Sequence, residues 1–323
     1  EFGRPQLVTG DGGYAAISAG GIHTCALDGT GQAYCWGMNE SGQLGTGHDW
    51  EDLPGSPAPV PVFGTLFFDS ISAGGSHTCA LEGETAWCWG ANFDGALGVG
   101  DDLIYSAALP LPVAGEHEFT QIVAAAYNTC ALDSDGAAWC WGYNEFGAVG
   151  DGSDVAISYE PVAVAGGHVF DSIAGTGSHL CGLTAAGEAW CWGGNEFGQL
   201  GSSVAGFAWS SNVPVPVDGG LVFRTIAPAA NHTCALDEDG SAWCWGNDDY
   251  GQLGWANPGF GGPEPVRVHG GLAFESIAAS GTATCARTAD GSSWCWGHNG
   301  SGVLGGGWVN GVSPVPWPVA QPD

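Results

Sequence analysis

An all-β chain, a six-bladed β-propeller of four-stranded antiparallel blades with one disulfide in each, is what three observations in the sequence predict. One phrase returns six times, as HTCALDGTGQAYCWG, HTCALEGETAWCWG, NTCALDSDGAAWCWG, HLCGLTAAGEAWCWG, HTCALDEDGSAWCWG and ATCARTADGSSWCWG. Its first cysteines, Cys25, Cys79, Cys130, Cys181, Cys234 and Cys285, stand 51 to 54 residues apart, a period that suits propeller blades and is too long for leucine-rich or ankyrin units. Each unit also holds four short β-branched or aromatic segments broken by Gly, Asp or Pro, and no stretch sustains a helical period. Finally, glycine supplies 58 of the 323 residues, an excess that in a periodic chain serves tight turns rather than disorder.

The elements follow in a fixed order. Each unit starts on F-x-x-I (Phe68, Phe119, Phe170, Phe223, Phe274) and runs into small residues such as SISAGG or TIAPAA, which fit the crowded innermost strand of a blade. The cysteine hairpin comes next, then NxxGxxG, a divergent loop and a PxPV-like segment. In the second unit the strands are expected near residues 70–74, 76–81, 86–90 and 109–113. In WCW, alternation sends both tryptophans to one face and the cysteine to the other, so the pairs from Trp87/Trp89 to Trp294/Trp296 read as packing between blades, with Tyr34 and Trp36 in their place in the first unit. Residues 5–319 are expected to form one propeller domain, between an N-terminal tail (1–4, whose first two residues fit a cloning scar) and a C-terminal tail (320–323). PxPV-like segments number seven, from PQLV near Pro5 to PVPWPV ending at Val319. Either the N-terminal copy completes the last blade and the C-terminal copy adds an outer edge, or the reverse.

Twelve cysteines, one pair per hairpin and none left over, predict six local bridges: Cys25–Cys35, Cys79–Cys88, Cys130–Cys140, Cys181–Cys191, Cys234–Cys244 and Cys285–Cys295. Closing a loop of about eleven residues contributes up to about 2.8 kcal/mol by chain entropy, and less where the turn already orders the hairpin. Zinc would need short knuckles grouped by fours, which this spacing lacks, so no metal is expected. Stable disulfides imply an oxidising compartment. With no apolar leader or membrane-length run in the sequence, the expectation is a processed, secreted, soluble protein.

Charge narrows the function. There are 34 acidic residues against four basic, all arginine, for a formal net charge of −30. Nucleic acid and anionic membranes are thereby excluded as partners, because almost no cation is present to displace their counter-ions. Such a charge favours solubility and attracts cationic patches or metal ions, or simply solvates the surface.

The pattern FxSIxAGxxHTCALxxxGxxWCWGxNxxGQLGxG resembles the repeat of the regulator of chromosome condensation family over nearly the whole chain. The resemblance implies a β-propeller. Members commonly have seven blades, whereas six hairpins here imply six, and the cysteine pairs look like the bacterial, secreted branch. Photoreceptor members carry tryptophan and arginine in GWRHT; here those positions read GGIHT, GGSHT, AAYNT, TGSHL, AANHT and SGTAT, so light sensing is not expected. The basic tail of the nucleotide exchange factor is also absent. A secreted inhibitor that docks its propeller face on an enzyme remains a compatible kind of relative.

What all six units share is the blade, and what differs is free for function. The loops after NxxGxxG differ most, and equivalent loops of a propeller emerge on one side. They supply Trp50, Tyr105, Tyr159, Phe207, Trp209, Trp255, Phe260 and Trp308, with Asp49, Glu51, Asp52, Asp101, Asp102, Asp151, Asp154 and Glu160 among the first three. Exposed loop aromatics suit docking of a protein or stacking of a sugar. The alternative is that they fold back to cap the blades. Arg287 stands where other units have Leu27, Leu81, Leu132, Leu183 and Leu236; a core guanidinium there needs a carboxylate or carbonyl partners, and it is a candidate for orienting a ligand anion. The residue after CWG varies (Met38, Ala91, Tyr143, Gly194, Asn247, His298), so it is expected to look into the open face. The recurrent His23, His77, His179 and His232, replaced by Asn128 and Ala283, read as structural hydrogen bonders. DSDG at Asp133 and DEDG at Asp237 are hairpin turns rather than calcium loops.

The leading expectation is a secreted, monomeric binding platform without a cofactor, recognising a protein or glycan through the aromatic and acidic loop face. The alternative is a hydrolase of a glycoside, ester or lactone bond, with Asp101, Asp102, Asp151, Glu160 or His298 as acid and base. Glycoside hydrolysis would need two carboxyl groups about 5–9.5 Å apart. A purely structural or surface-display role is the third possibility.

Overall fold

The structure, a computed structural model, describes residues 8, 13–48, 50–204, 208–257, 259 and 261–320. Twenty-four strands and no helix occur among them, arranged as six four-stranded antiparallel sheets of consecutive strands. The first sheet is β1 (Tyr14–Ala19), β2 (His23–Asp28), β3 (Ala33–Met38) and β4 (Gly55–Pro61). The second is β5 (Ser70–Ala73), β6 (His77–Glu82), β7 (Thr85–Ala91) and β8 (Ser106–Pro112). Then come β9 (Phe119–Ala124), β10 (Asn128–Asp133), β11 (Ala138–Tyr143) and β12 (Ile157–Ala163). The fourth holds β13 (Ser172–Gly175), β14 (His179–Leu183), β15 (Ala189–Gly194) and β16 (Ser210–Pro216). The fifth is β17 (Phe223–Pro228), β18 (His232–Asp237), β19 (Ala242–Gly246) and β20 (Gly262–Arg267), and the sixth β21 (Phe274–Ser280), β22 (Ala283–Thr288), β23 (Ser293–His298) and β24 (Val312–Pro318). This is the six-bladed β-propeller expected from the repeats. The second blade matches its expected strands, except that β8 begins three residues earlier because its edge pairing reaches back to Ser106 opposite Ala91. The segment ending at Val319 supplies β24, the fourth strand of the last blade; of PQLV, residues 5–7 lie outside the described residues. The chain divides into two compact units, Val8–Thr176 and the residues from Gly177 onward, parting between β13 and β14.

All six disulfides form as expected, one per blade, between residues directly opposite each other on the two middle strands. Their Cα atoms are 4.0–4.1 Å apart, the close approach of a non-hydrogen-bonded antiparallel pair. The glycine after each WCW lets the third strand bulge: Gly37 has φ 111° and the ladder slips between Cys35 and Gly37. A Cβ there would lie 2.7 Å from the His23 Cα and the Ile22 carbonyl, so no other residue fits.

Packing between neighbouring blades follows the alternation of WCW. The Cys25, Leu27, Ala33 and Cys35 face of the first blade meets Phe68, Ala80 and Trp89 of the second. Cys79, Leu81, Ala86 and Cys88 meet Phe119, Ile122, Ala131 and Trp141 in the same way, and Cys234, Leu236 and Cys244 meet Phe274, Ala286 and Trp296. The second tryptophan of each WCW from Trp89 to Trp296 is fully buried, whereas the first is half-buried.

A polar seam runs beside this apolar one. His23 Nε2 lies 2.8 Å from Thr78 Oγ1 of the next blade, and the Thr78 hydroxyl donates to the Gln43 carbonyl, which also accepts the Trp89 indole N–H. The same arrangement links His77 to Thr129, His179 to Thr233 and His232 to Thr284. Because each threonine has one proton and spends it on a carbonyl, as in Thr233 to Gln199 and Thr284 to Gln252, the histidine Nε2 must be the donor. Where the histidine is replaced by Asn128, its amide turns instead to the Ala148 carbonyl, and the fourth blade has Leu180 in the threonine position. The recurrent histidines are therefore structural, as expected, and the bond they make runs between blades.

Arg287 requires a correction. Its position is a core position only where another sheet covers that face, as for Leu27, which is 3% exposed. The Arg287 side chain is 57% exposed and lies 3.5 Å from a similarly exposed Glu275 carboxylate. A pair in that setting is worth under about 1 kcal/mol.

Candidate functional site

Each divergent loop is anchored by the asparagine of NxxGxxG. The Asn39 Oδ1 accepts the Leu44 N–H at 2.9 Å, closing the turn, while its Nδ2 donates to the His48 and Leu53 carbonyls and ties down the loop. Asn92, Asn144, Asn195 and Asn299 repeat this with Leu97, Val149, Leu200 and Leu304. The backbone N–H of the same asparagine reaches the carbonyl of the residue that leads into the fourth strand: Pro54, Tyr105, Ala156, Trp209 and Gly311 in turn. In two blades that fixed position carries a large aromatic with its ring in solvent, Tyr105 at 62% and Trp209 at 72% exposure.

In the unit from Gly177 onward, Trp209 forms one wall of a cleft of about 480 Å³. The Asn195 N–H donates to the Trp209 carbonyl at 2.7 Å, and Glu196 and Phe197 line the cleft with the indole. Asn247, Asp248 and Asp249, just after β19, line it from the fifth blade. Glycine brings the two blades together at Gly198, where a Cβ would lie 2.6 Å from the Pro263 nitrogen, and a Cβ on Gly261 would collide with the Gly246 carbonyl within the fifth blade. Asn247 is fixed by the Gln252 Nε2 donating to its Oδ1 at 2.6 Å, and it donates in turn to the Asp249 carboxylate at 2.9 Å.

Asp248 occupies the asparagine position of the fifth blade. Its Oδ1 still accepts the Leu253 N–H at 2.9 Å, but with no amide it cannot donate to the loop. The loop supplies a donor instead: the Trp255 indole N–H reaches Asp248 Oδ2 at 2.8 Å. Burial pushes the Asp248 carboxyl above the usual range, and the neighbouring Asp249 charge adds to this against the opposing pull of the Leu253 and Trp255 hydrogen bonds.

The other aromatics divide. Trp50 is 58% exposed, and Tyr105 leans on Phe93 with ring centroids 6.3 Å apart. Trp255 folds back onto the fifth blade's core and Trp308 packs edge-on to Trp317, both half-buried, while Tyr159 is half-buried with its carbonyl taken by the Gly100 N–H. Phe207, Phe260 and Asp49 lie outside the described residues. Asp101 and Asp151 accept the N–H groups of Leu103 and Ser153, ordinary turn contacts. Asp102 and Glu160 are exposed, and His48 sits 3.6 Å from Asp52. His298, half-buried, lines a separate groove of about 460 Å³ with Ser280 and Ser301, its ring 4.7 Å from Tyr250. Among the described residues no group of three or more His, Cys, Asp or Glu is placed to hold a metal ion. Of the described candidate aromatics and acids, Trp209 lines the larger cleft. Asn247 was marked in the sequence only as a variable residue after CWG, and Glu196, Phe197 and Asp249 were not singled out, although Asp248 breaking the NxxG pattern was a signal within the repeats.

Comparison with known proteins places this geometry. A family profile described as RCC1-like domain matches residues 1–321. The ultraviolet-B receptor UVR8 of Arabidopsis thaliana is 32% identical over 263 residues, covering 80% of this chain; the chain spans 58% of that receptor's length. Two solved structures show the same fold. Human WBSCR16 superposes with a TM-score of 0.87 at 21% identity, covering 99% of this chain and 85% of its own. Yeast RCC1 (Prp20), solved bound to Kap60, gives 0.82 at 24% identity, covering 95% and 74% respectively.

Proposed function

We propose a docking function for this chain, which belongs to the RCC1-like domain family: it is a secreted platform that binds a protein partner through the loops following the NxxGxxG turns. The observation that carries the reading is the shared position of Tyr105 and Trp209, each held by an asparagine N–H on its carbonyl and each presenting its ring to solvent. A pinned backbone with a free aromatic ring is a contact made ready at low entropic cost. Yeast RCC1, a structural neighbour, was solved bound to another protein. Six disulfides support an oxidising compartment, and no helix among the described residues is long and apolar enough to cross a membrane. The hydrolase alternative has one carboxyl raised by burial in a cleft, Asp248, but both its oxygens accept structural hydrogen bonds.

The test is affinity capture from the native extracellular medium, followed by binding of the purified partner to the wild type and to Trp50→Ala, Tyr105→Ala and Trp209→Ala. Loss of affinity by tenfold or more, roughly 1.4 kcal/mol, in at least one variant is expected. Equal affinity in all three would refute the loop-face reading. Turnover of a glycoside, ester or lactone that vanishes with a single Asp→Asn change would replace it with the enzymatic one.

A further inference from the structure

We propose that the cleft between Trp209 and Asp249 seats an arginine side chain of the partner, its guanidinium stacked on the Trp209 indole and paired with the carboxylates of Glu196 and Asp249. This inference rests on the docking reading and gives that surface its chemistry.

The first argument is uncompensated charge. Glu196, Asp248 and Asp249 line one cleft, and the three described arginines are all engaged elsewhere. Arg224 donates to the Asp237, Phe274 and Glu275 carbonyls, Arg267 to the Ser241 hydroxyl, and Arg287 pairs with Glu275. With no lysine in the chain, no arginine or lysine among the described residues is placed to neutralise this cleft. The second argument is shape. Trp209 is exposed yet fixed at its backbone, Phe197 lines the same cleft, and Asn247 orients the Asp249 carboxylate. A flat indole next to oriented carboxylates suits a planar, forked cation better than a compact ammonium, because the guanidinium stacks on the ring and bridges oxygens at once. The close backbone contact between Gly198 and Pro263 fixes the two blades against each other at the base of the cleft.

The test titrates acetyl-Gly-Arg-Gly-amide into ¹⁵N-labelled protein and follows the Trp209 indole N–H, assigned from its absence in Trp209→Phe. The Lys peptide and the neutral, isosteric citrulline peptide serve as comparisons. A saturable shift with the Arg peptide is expected, with the citrulline peptide and the Glu196→Gln/Asp249→Asn variant each weaker by about tenfold or more. These side chains are exposed, and an unchanged circular dichroism spectrum with six intact bridges shows that the variant folds. Equal binding of the citrulline peptide, an unaffected variant, or saturation by methyl β-glucoside without a response to arginine would overturn the proposal. A captured partner that depends on Trp50 or Tyr105 but ignores Glu196→Gln/Asp249→Asn would sink the arginine site while leaving the platform standing. A partner insensitive to every loop variant would sink the platform itself.

Discussion

Acid should weaken this protein through its histidine seam, and replacing His77 with glutamine isolates the effect. Burial lowers His23 to about 4 and His77, His179 and His232 to about 3, from an ordinary value of 6.5. At His77 and His179 a neighbouring histidine adds to the burial effect. The Nε2 proton is already committed to threonine, and Nδ1 of His23, His179 and His232 has no partner, so a second proton would enter a site without an acceptor. In the unfolded chain these rings protonate as pH falls through 6.5, whereas in the folded chain they stay neutral to about 3–4. The unfolded state therefore binds more protons across that window, and stability drops as pH falls. The loss at pH 5 is about 2 kcal/mol for each histidine, a large share of a typical 5–15 kcal/mol total once four are added. His77→Gln keeps a donor for Thr129 but cannot titrate. It should cost about 1 kcal/mol at pH 8 for a less well-placed bond. Below about pH 6 it should overtake the wild type, because the histidine penalty then exceeds that cost. Denaturant midpoints under non-reducing conditions from pH 8 to 4.5 measure both curves, and the carboxylate titrations common to both proteins cancel in the difference. A difference that stays constant with pH would show that the buried imidazole carries no proton linkage.

Three further outcomes follow from contacts within single blades. Trp139 and Trp243 donate to the aspartates of their hairpin turns, while the Trp294 indole N–H is buried without a partner in the blade whose equivalent turn residue is Thr288; Thr288→Asp should raise the denaturant midpoint by the equivalent of about 1 kcal/mol. Asp248→Asn restores the common residue but sets an amide donor against the Trp255 indole N–H, so a loss of about 1–3 kcal/mol is expected, largely recovered by adding Trp255→Phe in a double-mutant cycle. Cys79→Ala/Cys88→Ala opens one staple and should cost at most about 3 kcal/mol, read by thermal unfolding against the intact protein.

The blade was legible because it repeats. Six copies of one phrase fix the period, the hairpin and the cysteine partners, and the two-residue alternation of WCW alone assigns tryptophan and sulfur to opposite faces. Even the structural part of the histidines could be read from their recurrence. Residues without a repeat were harder. Tyr105 and Trp209 were visible as loop aromatics, but so were Trp255 and Trp308, and nothing local distinguishes a ring held in solvent from one folded over a blade. Arg287 looked buried because its equivalents are.

The sequence by itself therefore determined the strand order within each blade and the disulfide pairing, since these depend on local spacing. Tertiary structure decided which side chains come together across neighbouring blades: His23 with Thr78, His232 with Thr284, and Glu196 and Trp209 with Asp249 around one cleft. Those contacts join residues far apart in the chain, and their geometry exists only once the sheets have packed.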